Sequence, residues 1–207
     1  MKKNVIIVDD HPIVRSAVKV LLEDNGYHVV AESSDGFDAL EKIRDLEPGY
    51  LLLDIGIGSL DGLSVLQRLS ADKSGIKTLI FTSHLASTYA VRCMHAGAQG
   101  FINKSANLKE ILKGLSALSD GYLYFPKEIL TSHRESYNEF NAPLRGMTNK
   151  EVAVLQLLAK GFKNLEIASQ MNLSSKTVSG HKVNILRKLG VRTTIELARI
   201  AAELGLV

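Results

Sequence analysis

The chain has 207 residues, of which 45% are hydrophobic and 23% are charged, and its formal net charge at pH 7 is +3. This length allows one large or two small domains, each able to bury its own core. No apolar stretch reaches the roughly 20 residues of a membrane span, and the first residues lead into a strand-like run instead of a secretory signal. The single cysteine, Cys93, cannot form an internal disulfide. We therefore expect a cytoplasmic protein with no membrane association.

Charge is distributed unevenly along the chain. Residues 1–143 contain 15 Lys and Arg against 18 Asp and Glu, a net charge of −3, whereas residues 144–207 contain 10 against 4, a net charge of +6. A short basic region favours a polyanionic partner, although charge asymmetry also serves solubility. The pattern predicts two domains, and it makes the second a candidate nucleic-acid binder.

The front half alternates apolar runs with stretches of helical spacing, which predicts a parallel sheet wrapped by helices. The apolar runs begin near residues 4, 27, 50, 77 and 100. Several of them lack alternating polar residues, as expected of strands buried on both faces. The helical stretches lie at residues 12–25, 37–46, 63–69, 87–96 and 108–118. Together they predict one five-stranded, doubly wound α/β domain.

Polar residues stand directly after four of these predicted strands. Asp9 and Asp10 follow the first strand, Asp54 the third, Thr82 the fourth and Lys104 the fifth. In open parallel sheets, ligands bind in the crevice at the carboxyl ends of the strands. Clustered carboxylates repel one another until a cation neutralises them, and an ammonium group can hold the oxygens of a phosphoryl. The pattern therefore predicts a pocket for a hard divalent cation and a phosphoryl group.

Each of these residues also has a plainer interpretation. Asp9 and Asp10 could cap the first helix, and Asp54 could be a turn residue at a strand end. Thr82 could continue its strand, and Lys104 could be a solvated loop residue. Their coincidence at strand ends favours the site over the separate structural roles.

The tail contains only helical patterns after a polar, loop-like stretch at residues 122–143, which we assign to a linker. The predicted helices lie at residues 149–159, 164–171, 176–189 and 194–204. Thr148 with Glu151 forms a capping box at the start of the first. The second and third are short, are joined by a tight polar turn, and the third is rich in Lys and Arg. This combination predicts a helix-turn-helix.

These residues resemble a known family. The front half resembles the receiver domain of two-component response regulators, and the tail resembles the LuxR-type helix-turn-helix through the stretches MTNKE at 147–151, TVSGHK at 177–182 and KLGV at 188–191. Together they are similar to NarL/FixJ-class transcriptional regulators. The stretches DDHP at 9–12, DIGI at 54–57 and YLYFP at 122–126 are similar to the virulence-regulator subgroup typified by BvgA. The implied domains are a receiver at 1–121, a linker at 122–143 and a LuxR-type DNA-binding domain at 144–207.

The resemblance implies a phosphorylation site with a magnesium ion. Asp54 would accept the phosphoryl from a phosphohistidine or a small phosphodonor. Asp10 and Asp54 would bind Mg²⁺ directly, together with the carbonyl of Gly56, while Asp9 would act mostly through water. The expected partners on this side are a sensor histidine kinase or a phosphotransfer protein.

The resemblance also implies a switch. Lys104 would bind a phosphoryl oxygen, Thr82 would turn to bond another, and the ring of Phe101 would enter the vacated space, changing the surface and promoting a homodimer. Two positions depart from the family, since Gly58 and Ser105 stand where prolines are common. Gly58 loosens the loop that would supply a magnesium ligand, which leaves the ligand set intact but puts the affinity for Mg²⁺ in doubt.

The third helix of the tail would then read double-stranded DNA. The residues expected to hold phosphates are Lys176, Thr177, His181, Lys182, Arg187 and Lys188. Those expected to face base edges are Ser179, Gly180 and Val183. Because none of these three offers a bidentate fork to a base, we expect DNA shape and water-mediated contacts to contribute strongly to readout. The last helix would form the dimer contact, and RNA polymerase is a further candidate partner.

Three other functions fit part of the sequence. An Asp-nucleophile phosphohydrolase would share the pocket, but such enzymes usually carry a second Asp two residues after the nucleophile, where this chain has Gly56. A nucleotide-binding oxidoreductase would need a Gly-x-Gly turn after the first strand, where this chain has acids. A DNA-binding regulator could instead use the receiver as a phosphorylation-independent dimerisation module. We expect a regulator and no enzyme beyond self-phosphorylation and autodephosphorylation.

Overall fold

The computed structural model describes residues 3–72, 74–131, 144, 146–204 and 206. The chain divides into two compact units, residues 1–131 and residues 132–207. Among the described residues, no helix is both long enough and apolar enough to cross a bilayer.

The first unit is an all-parallel sheet with the strand order β2-β1-β3-β4-β5 and helices between the strands. Its elements are β1 Asn4–Val8, α1 Pro12–Asp24, β2 His28–Ser33, α2 Gly36–Leu46, β3 Tyr50–Leu53, α3 Gly62–Ala71, β4 Lys77–Thr82, α4 Ala86–His95, β5 Gly100–Asn103, α5 Glu110–Ser119 and α6 Lys127–Thr131. The five-stranded doubly wound fold predicted from the sequence is confirmed.

The central strands are buried along almost their whole length. Every residue of β3 is buried, and so are all but the first residues of β1 and β4. One face of the sheet packs Ile7, Leu52 and Leu79 against Ile111 and Leu115 of α5. Because the chain crosses from β2 on one side of β1 to β3 on the other, the order reverses beside β1, where such sheets form their ligand crevice.

The loop after β3 is held close to the sheet by the start of α3. Asp61 caps this helix, because its carboxylate accepts hydrogen bonds from the backbone N–H groups of Leu63 and Ser64 at 3.1 and 3.2 Å. At Gly62, a Cβ atom would lie 2.5 Å from the backbone oxygen of Asp54, so the close approach requires glycine. The residues after β3 are therefore fixed at the carboxyl edge of the sheet.

The described part of the second unit is helical, with α7 Asn149–Ala159, α8 Asn164–Gln170, α9 Ser175–Leu189 and α10 Thr194–Glu203. Helix α7 packs against α9 and α10, and α8 packs against α9. The capping box predicted at Thr148 and Glu151 is present. Helix α9 starts at the cap Ser174 and ends at Gly190, whose φ of 68° is left-handed.

The segment assigned to the linker contains structure that the sequence pattern did not predict. Tyr124 forms a parallel β-bridge with Gly100, and the five-residue helix α6 follows. Five residues are too few for a helical period to be visible in a sequence, which is why the pattern did not predict α6. Phe125 and Ile129 of this segment are nevertheless buried. The remainder of the predicted linker, residues 132–143, lies outside the described residues.

Candidate functional sites

The carboxyl edge of the sheet brings the predicted polar residues together. Backbone ladder bonds fix their positions, since the N–H of Asp9 donates to Ser33, that of Asp54 to Val8 and that of Lys104 to Thr82, at 2.8 to 3.0 Å. Asp9, Asp54 and Thr82 are buried, whereas Asp10 is exposed. The edge is therefore a crevice with a buried floor and one acid at its mouth.

Lys104 joins two of the three carboxylates. Its Nζ lies 2.5 Å from Oδ2 of Asp54 and 2.7 Å from Oδ2 of Asp9. Burial alone would lower the pKa of Lys104, but the hydrogen bonds to Asp54 and Asp9 outweigh it and raise the pKa above its usual value. The ammonium stays charged at neutral pH, so one positive charge faces three acids and the crevice still favours a further cation.

The acids are close enough to share that cation. One ligand atom from each of Asp9, Asp10, His11 and Asp54 lies within 4.8 Å of the others. Nδ1 of His11 is 2.7 Å from Oδ1 of Asp10 and 3.2 Å from Oδ1 of Asp9. Three convergent carboxylates are the donors that a hard divalent cation prefers, so the residues fit Mg²⁺. Sequence reasoning did not single out His11 as a site residue.

Gly56 keeps the space beside Asp54 open. Its N–H donates to Oδ1 of Asp54 at 2.8 Å. A Cβ atom at this position would lie 3.4 Å from Oδ1 of Asp54 and 3.4 Å from Nε2 of His84. His84, which the sequence analysis missed, therefore borders the crevice opposite Asp54, with its ring packed on Tyr89 at a centroid distance of 4.6 Å. Burial lowers the pKa of His84, which favours the neutral imidazole.

The two predicted switch residues lie on neighbouring strands. Phe101 pairs with Ile80 in the β4–β5 register, two residues before the pair formed by Thr82. The Oγ1 atom of Thr82 accepts a hydrogen bond from the N–H of His84 at 3.3 Å. The side chains of Thr82 and Phe101 are both buried, with 0% and 2% exposure. The structure thus has the Phe101 ring already packed inside.

In the second unit, α8 and α9 form the two helices of the helix-turn-helix. The side chain of Asn164 on α8 donates to Oγ of Ser179 on α9 at 3.0 Å, which fixes one helix against the other. Among the predicted contact residues of α9, the exposed ones are Lys176, Thr177, Gly180, Val183, Arg187 and Lys188. Those of intermediate exposure are Ser179, His181 and Lys182. The predicted reading face is therefore accessible.

Lys188 has an internal partner that the sequence did not reveal. Its Nζ lies 2.6 Å from Oε2 of Glu151 and 2.8 Å from the carbonyl oxygen of Gly146. Burial alone would raise the pKa of Glu151, but the hydrogen bonds from Lys188 and Thr148 hold it below its usual value. The pair joins the end of α9 to the start of α7. A stabilising role for Lys188 thus stands beside the phosphate contact, which stays a prediction.

Both units match known families. The family model described as the response regulator receiver domain matches residues 5–116, and the model for bacterial regulatory proteins of the luxR family matches residues 145–201. The chain is 40% identical to the virulence factors transcription regulator BvgA of Bordetella pertussis, over 97% of each chain. It is 37% identical to the Fimbriae Z protein of Salmonella typhimurium, over 94% of this chain and 93% of that protein.

Solved structures of response regulators also align with this chain over nearly its whole length. RcsB from Salmonella enterica serovar Typhimurium, bound to the promoter P1flhDC in the presence of the phosphomimetic BeF₃⁻, aligns with a TM-score of 0.60 and 26% identity over 99% of this chain and 100% of that chain. The response regulator ChrA of a heme-sensing two-component system aligns with a TM-score of 0.52 and 27% identity over 100% of this chain and 99% of that chain.

Proposed function

Because this chain belongs to the two-component response regulators in which a receiver domain precedes a LuxR-type helix-turn-helix, we propose that phosphorylation of Asp54 controls its binding to DNA and thereby transcription. The observation that carries this proposal is the crevice in which buried Asp54 meets Lys104, Asp9 and Asp10. The family matches at 5–116 and 145–201 support a receiver domain and a DNA-binding domain with the predicted linker at 122–143 between them, of which residues 122–131 belong to the first compact unit.

Asp54 is the acceptor because it follows β3, the middle strand of the sheet, and has open space beside its carboxylate at Gly56. A carboxylate oxygen of Asp54 attacks the phosphorus of a phosphohistidine on a sensor kinase or phosphotransfer protein. The new O–P bond forms as the P–N bond breaks, and the histidine leaves with the electron pair. Gly56 places no side chain over Oδ1, which leaves room for the incoming phosphoryl. Phosphoryl transfer needs positioning and charge stabilisation above all, and the crevice supplies both.

The same crevice would hold Mg²⁺ through Asp10, Asp54 and the carbonyl of Gly56, and Asp9 would act through water. When bound, the cation offsets the negative charge of the transferring phosphoryl. Lys104 holds a phosphoryl oxygen after transfer, since its ammonium already lies at 2.5 Å from Asp54. Asp9 keeps this ammonium at the floor of the crevice.

The phosphoryl biases the switch residues and the oligomeric state. It brings roughly −1.5 to −2 charges and three acceptor oxygens to the crevice. Thr82, buried at the end of β4, turns to bond a phosphoryl oxygen, and the ring of Phe101, buried two residues earlier in the β4–β5 register, moves into the vacated space. Dimerisation follows, for which α10 offers Ile195, with 82% of its surface exposed. A dimer presents two recognition helices to two half-sites about one helical turn apart.

DNA binding uses α9 in the major groove. Lys176, Lys182 and Arg187 hold phosphates, and Ser179 and Val183 face the bases. Solved structures of RcsB, which aligns with this chain at 26% identity, contain bound DNA, and they support DNA binding by this chain. As a regulator that acts on DNA, the protein works in the cytoplasm with RNA polymerase as a candidate partner, and its only catalysis is self-phosphorylation and autodephosphorylation.

Labelling by a small acyl phosphate tests the acceptor. With Mg²⁺ and acetyl phosphate, intact-mass spectrometry of the wild type should show one added phosphoryl, and Asp54→Asn should show none while keeping its fold. Asp45→Asn is the matched control, because it removes the same charge at an exposed position on α2. Stoichiometric labelling of Asp54→Asn at another residue would refute the assignment of Asp54 as the acceptor.

A further inference from the structure

Residues 55–60 connect Asp54 to the cap of α3, and we call them the acceptor loop. The buried residues of this loop are Ile55, Ile57 and Leu60, and the exposed ones are Gly56, Gly58 and Ser59. Two of these residues are glycines, which lose more conformational freedom on being fixed than any other residue. The conformation of the acceptor loop therefore depends on contacts with the elements beside it.

The acceptor loop contacts residues 33–36, which join β2 to α2 and which we call the β2–α2 turn. The hydroxyl of Ser59 donates a hydrogen bond to Oδ2 of Asp35. This bond lowers the pKa of Asp35, so the carboxylate stays an acceptor at neutral pH. At Gly36, a Cβ atom would lie 2.3 Å from the carbonyl oxygen of Leu60, so glycine allows the loop to approach this closely. One polar bond and one close backbone approach thus hold the loop against the turn.

The β2–α2 turn is itself firmly held. The N–H of Phe37 donates to Oδ1 of Asp35 at 2.8 Å, so one oxygen of this carboxylate caps α2 while the other bonds Ser59. The N–H of Asp35 donates to Oγ of Ser33 at 3.2 Å, and the carbonyl of Ser33 accepts the N–H of Asp9 at 3.0 Å. The turn therefore bonds both to Asp9 at the edge of the sheet and to the acceptor loop.

The conformation of the acceptor loop decides where Gly56 meets Asp54. Their contact is the hydrogen bond from the N–H of Gly56 to Oδ1 of Asp54 at 2.8 Å. A Cβ atom at Gly58 would meet nothing within 4 Å, so position 58 makes no packing contact that could fix the loop. Binding groups that are held in place before the ligand arrives give higher affinity, because less ordering remains to be done on binding.

We propose that Ser59 and Asp35 are positioning residues for Mg²⁺: their hydrogen bond holds the acceptor loop on the β2–α2 turn, with Gly56 against Asp54. The bond supplies the rigidity that a proline at position 58 gives in related receivers. This inference rests on the proposed Mg²⁺ site and adds the contact that sets its affinity in this chain.

Calorimetric titration of the full chain with Mg²⁺ tests the role of Ser59. Ser59→Ala should weaken Mg²⁺ binding by about twofold to fivefold, the factor that corresponds to part or all of one hydrogen bond. Ser59→Thr keeps the hydroxyl and should bind Mg²⁺ like the wild type. The matched control is Ser64→Ala, which removes a hydroxyl bonded at 2.8 Å to Asp61 at the cap of α3 and should leave the affinity unchanged. Unchanged affinity in Ser59→Ala would overturn the inference.

Two further measurements separate positioning from a general loss of stability. Without Mg²⁺, the NMR order parameters of the Gly56 and Gly58 amides should fall in Ser59→Ala. Labelling by acetyl phosphate should be slower in Ser59→Ala at low Mg²⁺ and should recover at saturating Mg²⁺, because the bound cation then orders the loop. A labelling rate that stays reduced at saturating Mg²⁺ would contradict an effect through the affinity for the cation.

A double-mutant cycle tests whether Ser59 acts through Asp35. Asp35→Ser keeps a residue that caps α2 but removes the oxygen that Ser59 bonds. Ser59→Ala should therefore weaken Mg²⁺ binding in the wild type and have no effect in Asp35→Ser, whatever the loss of the Asp35 charge itself does to the affinity. An equal effect of Ser59→Ala in both backgrounds would contradict the role of this bond.

The inference and the proposed site fail in different ways. Mg²⁺ binding that persists undiminished in Asp10→Ala would contradict the proposed Mg²⁺ site, and the inference would fall with it. Mg²⁺ binding that is lost in Asp10→Ala and unchanged in Ser59→Ala would contradict the inference alone. Binding that is lost in Asp10→Ala, weakened in Ser59→Ala and restored in Ser59→Thr would support both.

Discussion

Charged side chains are arranged differently in the two units. At the edge of the receiver sheet, Lys104 lies half-buried between the buried carboxylates of Asp54 and Asp9, and each group depends on the position of the others. On α9, Lys176 and Arg187 are exposed, and their expected partner is the phosphate backbone of DNA. Buried charges that share partners make a site sensitive to one substitution, whereas exposed charges act nearly independently and are screened by salt. The first arrangement suits a switch and the second suits graded affinity.

Lys104→Ala should give the largest effect, because it leaves Asp54 and Asp9 facing each other without their shared cation. Loss of one partner of a buried ion pair costs about 3–5 kcal/mol of the free energy of unfolding. Mg²⁺ should restore part of this loss, and phosphorylated Lys104→Ala should dimerise less than the wild type. Urea unfolding with and without Mg²⁺, together with the dimer fraction after acetyl phosphate treatment, measures these effects.

The control for that substitution is Lys109→Ala, at an exposed residue just before α5. It should change neither the stability nor the response to Mg²⁺. If phosphorylated Lys104→Ala dimerises like the wild type, Lys104 does not couple the phosphoryl to the switch.

Glu151→Gln should give the second largest effect, because the second unit also contains an ion pair with one buried partner, Glu151. Loss of the charged bond to Lys188 should lower the free energy of unfolding by about 2 kcal/mol. The folded-state pKa of Glu151 lies below its usual value of 4.5, so its stabilising effect is complete above pH 4.5 and is lost as the pH falls through the lowered pKa. Urea unfolding of residues 144–207 across this pH range should show less acid sensitivity in Glu151→Gln.

Glu203→Gln is the matched control, since Glu203 pairs with Arg199 on the exposed surface of α10. Surface pairs contribute little, so stability and its pH dependence should stay near those of the wild type. Equal effects of the two substitutions would mean that the burial of Glu151 does not matter.

The sequence predicted most of the receiver because its signals are local. Uninterrupted apolar runs marked the buried strands, and the end of each run marked the crevice, so that Asp54 and Lys104 were assigned without coordinates. The capping box at Thr148 was found in the same way. The pairing of Glu151 with Lys188 joins residues 37 positions apart and has no local signal. His84 was missed because a single residue in the loop after a strand gives no periodic pattern. Helix α6 was missed because five residues are too few to show a helical period.

Lys182→Ala should have a smaller effect that depends on salt. Removing one phosphate contact should weaken binding to all DNA sequences and reduce the slope of log affinity against log salt by about 0.9. Val183→Ala should change sequence preference and leave this slope nearly constant, because an apolar side chain releases no counterion. Fluorescence anisotropy at several salt concentrations separates the two, and a Lys182→Ala slope equal to that of the wild type would remove Lys182 from the interface.

Gly58→Ala should give the smallest effect, a gain of about 0.4–1 kcal/mol in the free energy of unfolding. A Cβ atom at Gly58 meets nothing within 4 Å, so the substitution restricts the unfolded chain without a clash. Thermal unfolding in the presence of Mg²⁺ measures the gain. A loss of stability would mean that the loop after β3 needs the flexibility of glycine.

Control of DNA binding by Asp54 is tested most directly by titrating DNA with the full chain before and after treatment with acetyl phosphate and Mg²⁺, for the wild type and for Asp54→Asn. The phosphorylated wild type should bind as a dimer, protect two half-sites about one helical turn or a multiple apart, and bind more tightly than the untreated protein. Asp54→Asn should bind weakly and identically under both conditions. Equal affinity of the phosphorylated and unphosphorylated wild type, or an increase in affinity that persists in Asp54→Asn, would contradict control through Asp54.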